Sequence, residues 1–463
     1  KRTDLLVVLN KTRGVPRNRD LFSRSIHCCA LGTLMAAAPW DELPDDIVHQ
    51  INAHLPCPLD RVFMAASCKS WGTPPVGPPP RSLPCLLLPL ARGPSVACIL
   101  GGGSMHGLGL PEDVRRARFF GSYEGMWAFL ALRRREGHVL LNFRTGERIP
   151  LPDIEFGEIT RMRRAVYGDN GAVVGVRWAA IGGPRRPVMM LAATLSSPPA
   201  VDDGECIAGA ILNVLGPEGC VHHWRYVCFW RLGSRMAIDA EEVVSASVGW
   251  SPQDIAYFDG RFFVLTKGEH LRTYVVLNEP YPMRHGVDNL HAKLCNLYHT
   301  GGGDNPSDAV PRAGYLVESR GELLMVAKEW MPDDGAASCI RLFKLTPAVV
   351  PLSDDPEFSL TWTAVESLDG RLLVVGPGCS RAYECADFPS GCIEEGVYFL
   401  DDRTYYNCTY FAPYFPEQSN SDEFACVDNG RCCLLPARPE QSFPIKPWEG
   451  SFSTYSPPIW LLP

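Results

Sequence analysis

A chain of 463 residues, 46% hydrophobic and 21% charged, can hold a full-sized core plus an accessory module and falls outside the disordered and fibrous classes. Its net charge of −8 argues against general nucleic-acid affinity, and no apolar run approaches the ~20 residues of a membrane span. The 18 cysteines are scattered through an apolar-rich chain without a clear secretory signal or any Cys-x-x-Cys, so they read as free, mostly buried thiols. Cys28-Cys29 and Cys432-Cys433 are adjacent pairs, poor geometry for structural zinc, and no metal or cofactor is expected.

Residues 1–34 carry seven basic and two acidic side chains with no sustained period, whereas Met35-Ala36-Ala37-Ala38-Pro39 reads as a natural protein start. The first 34 residues are therefore expected to be an upstream extension. The alternative is a basic organelle-targeting leader, against which Asp4 and Asp20 count. After Trp40-Asp41-Glu42-Leu43, Pro44 suits a helix's first turn, and Asp45 and Asp46 put negative charge where the helix dipole favours it. Ile47, Ile51 and Leu55 then recur at helical spacing with Val48 beside them, until Pro56 and Pro58 end the run. A second helix is predicted from about Leu59 to Cys68, on Leu59, Val62, Phe63 and Ala66, before Lys69-Ser70-Trp71 closes the unit. Some thirty residues cannot bury that much apolar surface alone.

This stretch, 35–72, resembles the F-box, the motif by which substrate receptors of SCF ubiquitin ligases bind the SKP adaptor. Leu43-Pro44, Asp46, Ile47, Ile51, Leu55, the Pro56/Pro58 break, Leu59 and Cys68-Lys69-Ser70-Trp71 carry the resemblance. It implies adaptor contact for Leu43, Pro44, Ile47, Ile51, Leu55 and Leu59, and a role for Cys68 and Trp71 in holding the box together. Ser67 and Gly72 depart from the family, which usually has an aliphatic and a basic residue there.

Residues 73–94 open with Thr73-Pro74-Pro75-Val76-Gly77-Pro78-Pro79-Pro80, which favours an extended spacer and marks a domain boundary, with Leu83 to Pro89 entering the next domain. Gly101-Gly102-Gly103-Ser104 lacks the Gly-Lys-Ser/Thr of a phosphate loop and reads as a plain loop. Beyond Phe119 come short apolar runs separated by glycine-containing turns, the pattern of antiparallel strands. One idiom returns at Asp259-Gly260, Arg320-Gly321 and Asp369-Gly370, each flanked by β-formers, with the glycines 61 and 49 residues apart. Such returns predict a kelch-like β-propeller over 95–463, the alternatives being a β-sandwich or two smaller β-domains. The uneven spacing and the intractable region 201–221 leave the blade number uncounted.

Gly121-Ser122-Tyr123-Glu124-Gly125-Met126-Trp127, Leu141-Asn142 with Thr145-Gly146, Ile149-Pro150-Leu151-Pro152, Asp254 to Phe262, Tyr315 to Leu324 and Val397 to Asp402 together resemble the plant KIB-type β-propeller family. The likeness runs over about residues 83–463, with Pro457-Pro458-Ile459-Trp460 fitting its terminal strand. The fold expected is thus mainly β, a small N-terminal α-helical F-box module followed by a β-propeller.

No Gly-x-Ser-x-Gly, His-Glu-x-x-His or kinase signature occurs, so no catalytic residue is assigned. His222-His223, Asp354-Asp355 and Asp401-Asp402 read as core or turn residues, and Arg133-Arg134-Arg135 as a solvated turn. The aromatics from Tyr405 to Phe415 pack between blades or form a recognition surface. The function implied is a non-catalytic SCF substrate receptor in cytoplasm or nucleus. Its partners would be the SKP adaptor, through it a cullin, and an unidentified protein target. The alternative is a stand-alone, organellar propeller whose degenerate box engages no ligase.

Overall fold

The computed structural model describes residues 42–55, 57–72, 82–90, 93–98, 104–132, 137–152, 160–167, 173–181, 188–199, 206–214, 224–234, 238–239, 243–244, 251–278, 290–298, 312–330, 337–347, 360–388, 393–400, 430–432, 442–444 and 456–463. Two helices lead. In α1 (Asp45–His54), Asp45 and Asp46 sit in the first turn and the Pro44 carbonyl accepts from the Ile47 and Val48 N–H groups. In α2 (Pro58–Ser67), Pro58 is not only a stop for α1 but the first helical residue. The N-cap is Cys57, whose Sγ accepts from the Asp60 N–H at 3.4 Å.

Blade 1 contains β1 (Cys85–Leu90), β2 (Gly93–Cys98) and β3 (Ser104–Gly107). After the short α3 (Glu112–Arg115), blade 2 is β4 (Arg118–Tyr123), β5 (Trp127–Ala131), β6 (His138–Asn142) and β7 (Arg148–Leu151). A hairpin of β8 (Thr160–Tyr167) and β9 (Val173–Ile181) follows. Blade 3 is β10 (Val188–Leu195), β11 (Ile207–Val214), β12 (Trp224–Arg231) and β13 (Ile238–Asp239), and β14 (Val243–Val244) pairs in parallel with β8. Blade 4 is β15 (Pro252–Phe258), β16 (Arg261–Thr266), β17 (Leu271–Asn278) and β18 (Leu290–Tyr298). Blade 5 is β19 (Arg312–Ser319), β20 (Glu322–Trp330), β21 (Ala337–Pro347) and β22 (Leu360–Val365). Blade 6 comprises β23 (Arg371–Val374), β24 (Arg381–Glu384), β25 (Gly396–Phe399), β26 (Gly430–Cys432) and β27 (Ser442–Pro444), with β24 outside β23 in the sheet. Finally β28 (Ile459–Leu461) pairs antiparallel with β1, Cys85 opposite Leu461 and Leu87 opposite Ile459, and completes blade 1. The propeller has six blades. Its first strand starts at Cys85, so the later part of the segment 73–94 that the sequence reads as spacer is strand.

The core explains the continuous apolar runs. Among the described residues six buried clusters lie one between each pair of neighbouring blades. Because successive side chains of a strand point to opposite faces, each strand feeds two clusters. In β16, Phe262 and Val264 pack toward blade 3 while Phe263 and Leu265 pack toward blade 5. In β20, Leu323 and Met325 face blade 4, and Leu324 and Val326 face blade 6. In β1, Leu87 faces blade 2, and Leu86 and Leu88 face blade 6. With both faces buried there is no polar side to alternate with, and each such Leu or Phe contributes about 2 kcal/mol.

The recurring turns close two-residue hairpins at β15–β16 and β19–β20, where Phe258 pairs with Arg261 and Ser319 with Glu322. Both central residues have positive φ, 46° and 74° at Asp259-Gly260, and 54° and 71° at Arg320-Gly321; Asp369-Gly370, just before β23, repeats this at 53° and 77°. This is the type I′ turn, whose twist matches that of the strands. Arg320 also reaches Asp369 at 2.6 Å and Glu384 at 2.7 Å, joining blades 5 and 6 at the surface. Exposed pairs of this kind add little, so Arg320→Ala is expected to leave the thermal midpoint essentially unchanged in a melting experiment.

Polar stitches hold the centre. Asp254, buried at a β15 irregularity, accepts from the N–H groups of Ile255 (2.9 Å), Leu316 of blade 5 (2.7 Å) and Gly378 of blade 6 (2.8 Å). Gly378 lies on the connection from β23 to β24, which reaches across to blade 3. Its φ is +66°, and a Cβ there would come within 2.7 Å of the Ala193 backbone. Gln253 accepts from the Gly314 N–H at 3.2 Å, and the Ser122 hydroxyl donates to the Trp460 carbonyl.

Candidate functional site

Proline, two acids and an apolar stripe build α1 so that Ile47 and Ile51 lie one turn apart on one face, while Val48 turns inward and is buried. Ile47 is 37% exposed and Ile51 38%. Leu43 and Leu55 are half-buried at the two ends and Pro44 is exposed, so these five expected contact residues share α1 and its flanks. Leu59 lies in the first turn of α2, and its side chain is outside the described residues. Among the described residues the large hydrophobic side chains left exposed are Ile47, Ile51, Phe63 and Met105, three of them on the two helices. Within the module Val48 and Met64 are buried while Ile47, Ile51 and Phe63 are not, and Met105 of β3 is the exposed large hydrophobic of the blades among the described residues.

Cys68 and Trp71 sit where the module closes. The Cys68 Sγ is 3.0 Å from the Ser70 hydroxyl, and half-buried Trp71 lies in the 3-10 turn Ser70–Gly72. A Cβ at Gly72 would stand 3.3 Å from the Ala65 carbonyl, so the turn folds back closely against α2.

The module rests on blade 1 through its second helix. Cys57 is buried with its Sγ 2.8 Å from that of Cys98 and 3.3 Å from His106 Nε2; Cys85 Sγ is 3.3 Å from that of Cys98. The Asp60 carboxylate approaches His106 Nε2 at 3.6 Å, and the Phe63 ring lies 5.6 Å from the imidazole. Arg61 donates to the Leu55 carbonyl at 2.6 Å and the Ser82 hydroxyl at 3.3 Å, tying both helices to the approach of β1. The Cys85 and Cys98 thiols hydrogen-bond to Cys57 and lower its pKa to about 2, while Cys98 is pushed up to about 12 and Cys85 well above its ordinary value. Sequence reading found none of this, because the four donors stand at 57, 85, 98 and 106 without a recognisable ligand spacing.

Elsewhere the buried carboxylate at the centre is not poised for chemistry. Asp254 has its pKa raised to about 7 by burial, and both its oxygens are taken by backbone donors. Arg133-Arg134-Arg135, Gly101-Gly102-Gly103, His222-His223, Asp354-Asp355, Asp401-Asp402 and the aromatics from Tyr405 to Phe415 lie outside the described residues.

The family model described as the KIB1-4 β-propeller matches residues 97–421, well over half of the chain. No curated protein matches the sequence.

Proposed function

Since the chain belongs to the KIB1-4 β-propeller family, we propose that it is the substrate-recognition subunit of an SCF-type ubiquitin ligase, an F-box docking on the SKP adaptor and a propeller holding the protein target. The observation that carries the reading is the exposed Ile47/Ile51 face of a helix pair that is itself anchored on blade 1. Leu43, Pro44 and Leu55 extend that face, and Cys68 and Trp71 shape the module behind it. The protein itself makes and breaks no bonds. By holding a target beside a ubiquitin-charged enzyme it raises the effective concentration of the target's lysines. A cullin would join through the adaptor, and the complex would work in cytoplasm or nucleus. No helix among the described residues is long and apolar enough to cross a membrane.

The test is co-purification of the chain, started at Met35, with a plant SKP adaptor, beside a Leu43→Ala/Pro44→Ala/Ile47→Ala variant. All three positions are exposed or half-buried and buried Val48 is untouched, so the variant should keep its fold. The parent is expected to bind and the variant to lose more than about tenfold in affinity. A folded parent that ignores the adaptor would shift the reading to a stand-alone binding propeller with a degenerate box.

A further inference from the structure

The junction between the helical module and blade 1 is built like a metal centre. We propose that Cys57, Cys98 and His106, with Cys85 as fourth ligand, bind one zinc ion that pins the module to the propeller. The donor atoms of Cys57, Cys98 and His106 lie within 4.8 Å of one another and all three residues are buried. Strand pairing explains the convergence. Leu86 pairs with Ala97, which sets Cys85 across from Cys98, and Val96 pairs with His106, two residues from Cys98. With a side-chain period of two, Cys85, Cys98 and His106 therefore share one face of blade 1, where Cys57 arrives at the start of α2.

Three thiols and an imidazole form a closed structural set for zinc, and bond lengths of about 2.3 Å to sulfur and about 2.0 Å to nitrogen place tetrahedral donors roughly 3.5–3.8 Å apart. The Cys57–Cys98, Cys57–His106 and Cys85–Cys98 separations, 2.8 to 3.3 Å, lie short of that range, and the Cys85 thiol, which stands outside the mutual 4.8 Å group, turns toward it to complete the set. Cys57 is fixed at the N-cap of α2, where its Sγ accepts from the Asp60 N–H, and the Asp60 carboxylate lies 3.6 Å from the same His106 Nε2. Phe63 covers the imidazole from the module side. Zinc would replace an awkward packing of thiols by four bonds, three from blade 1 and one from the module. This inference is independent of whether the module docks on an adaptor.

The test begins with the full chain purified in mild reductant without chelator and its metal content measured by mass spectrometry. About one zinc per chain is expected. Replacement by Co²⁺ should give intense ligand-field bands of a tetrahedral site together with thiolate-to-cobalt charge transfer. Cys98→Ser and Cys57→Ser should each lose the ion or bind it at least tenfold more weakly. His106→Cys should keep it, with stronger charge transfer, which reads out the site even if a serine variant folds poorly. Zinc well below one equivalent with an octahedral cobalt spectrum would overturn the proposal, as would zinc retained at full affinity in both serine variants, or isolation of the reduced-buffer protein as a metal-free Cys57–Cys98 disulfide.

Discussion

Asp254→Ala is expected to lower stability by roughly 3–6 kcal/mol, because it strands three buried N–H groups at about 1–2 kcal/mol each. For a propeller of this size that corresponds to a fall in thermal midpoint of roughly 4–8 °C. The three donors belong to different places, Ile255 on the same strand, Leu316 in blade 5 and Gly378 on the blade 6 connection, so one side chain holds three parts of the ring together. Asp254→Asn should cost less, since its carbonyl oxygen can still serve Gly378 and Ile255 while its amide faces the Leu316 N–H. The parent and Asp254→Asn also separate in their pH dependence. Burial raises the folded pKa from the ordinary 3.8 to about 7, so between about pH 4 and pH 7 the folded protein holds a proton that the unfolded chain has released. Stability from this group is therefore fully present below about pH 4 and falls as pH rises to about 7, by up to about 1.4 kcal/mol per unit. Denaturant melts across that range should show the slope in the parent relative to Asp254→Asn. A flat difference would mean that Asp254 is ionised throughout, its charge carried by the three amides.

The second large effect concerns the closing strand. Trp460 is fully buried between blades 1 and 6, and its Nε1 donates to the Val375 carbonyl at 3.0 Å. Trp460→Ala should cost about 4 kcal/mol in lost packing, with a further penalty for the unpaired carbonyl. The loss falls on the seam where the chain's last strand meets its first blade, so the expected readout is twofold. The denaturation midpoint drops, and amide exchange rises first in β1 to β3 rather than uniformly. Trp460→Phe, which keeps most of the apolar volume but not the donor, should recover more than half of the stability. Uniform exchange in Trp460→Ala would show that closure is not a separable event.

The parts of this fold legible in sequence were those written in local chemistry. Asp259-Gly260, Arg320-Gly321 and Asp369-Gly370 announce a left-handed pair of residues, and all three adopt it. Pro44 with Asp45 and Asp46 announces α1. Blade number is not local. It depends on which neighbour each of Phe262, Phe263, Val264 and Leu265 faces, and a strand buried on both sides carries no polar alternation to say so. The β8–β9 hairpin and its partner β14, set outside the six blades, further spoil the spacing between blades 2, 3 and 4. Leu83 to Pro89 reads as the entry to the second domain, but that it is the inner part of a blade is not visible locally, because its strand partner β28 lies at the other end of the sequence. The Cys57/Cys85/Cys98/His106 cluster escaped for a related reason, since only the register of blade 1 and the seat of α2 bring its members together. Ile47 and Ile51 were singled out by their spacing and are exposed, whereas Val48 beside them is core, a distinction that period alone does not make.

The pairing of β28 with β1 sets a clock on biosynthesis. The helical module and three strands of blade 1, ending at Gly107, leave the ribosome early, but the strand that completes that blade, starting at Ile459, follows about 350 residues later. At about 5–20 residues per second the wait is roughly 20–70 s. Throughout it the unpaired edge of β1, and Leu86 and Leu88 on its blade 6 face, lack the partners Trp460 and Leu462, which do not yet exist. Truncated products are equally marked, since a chain that stops short displays that open edge for as long as it survives.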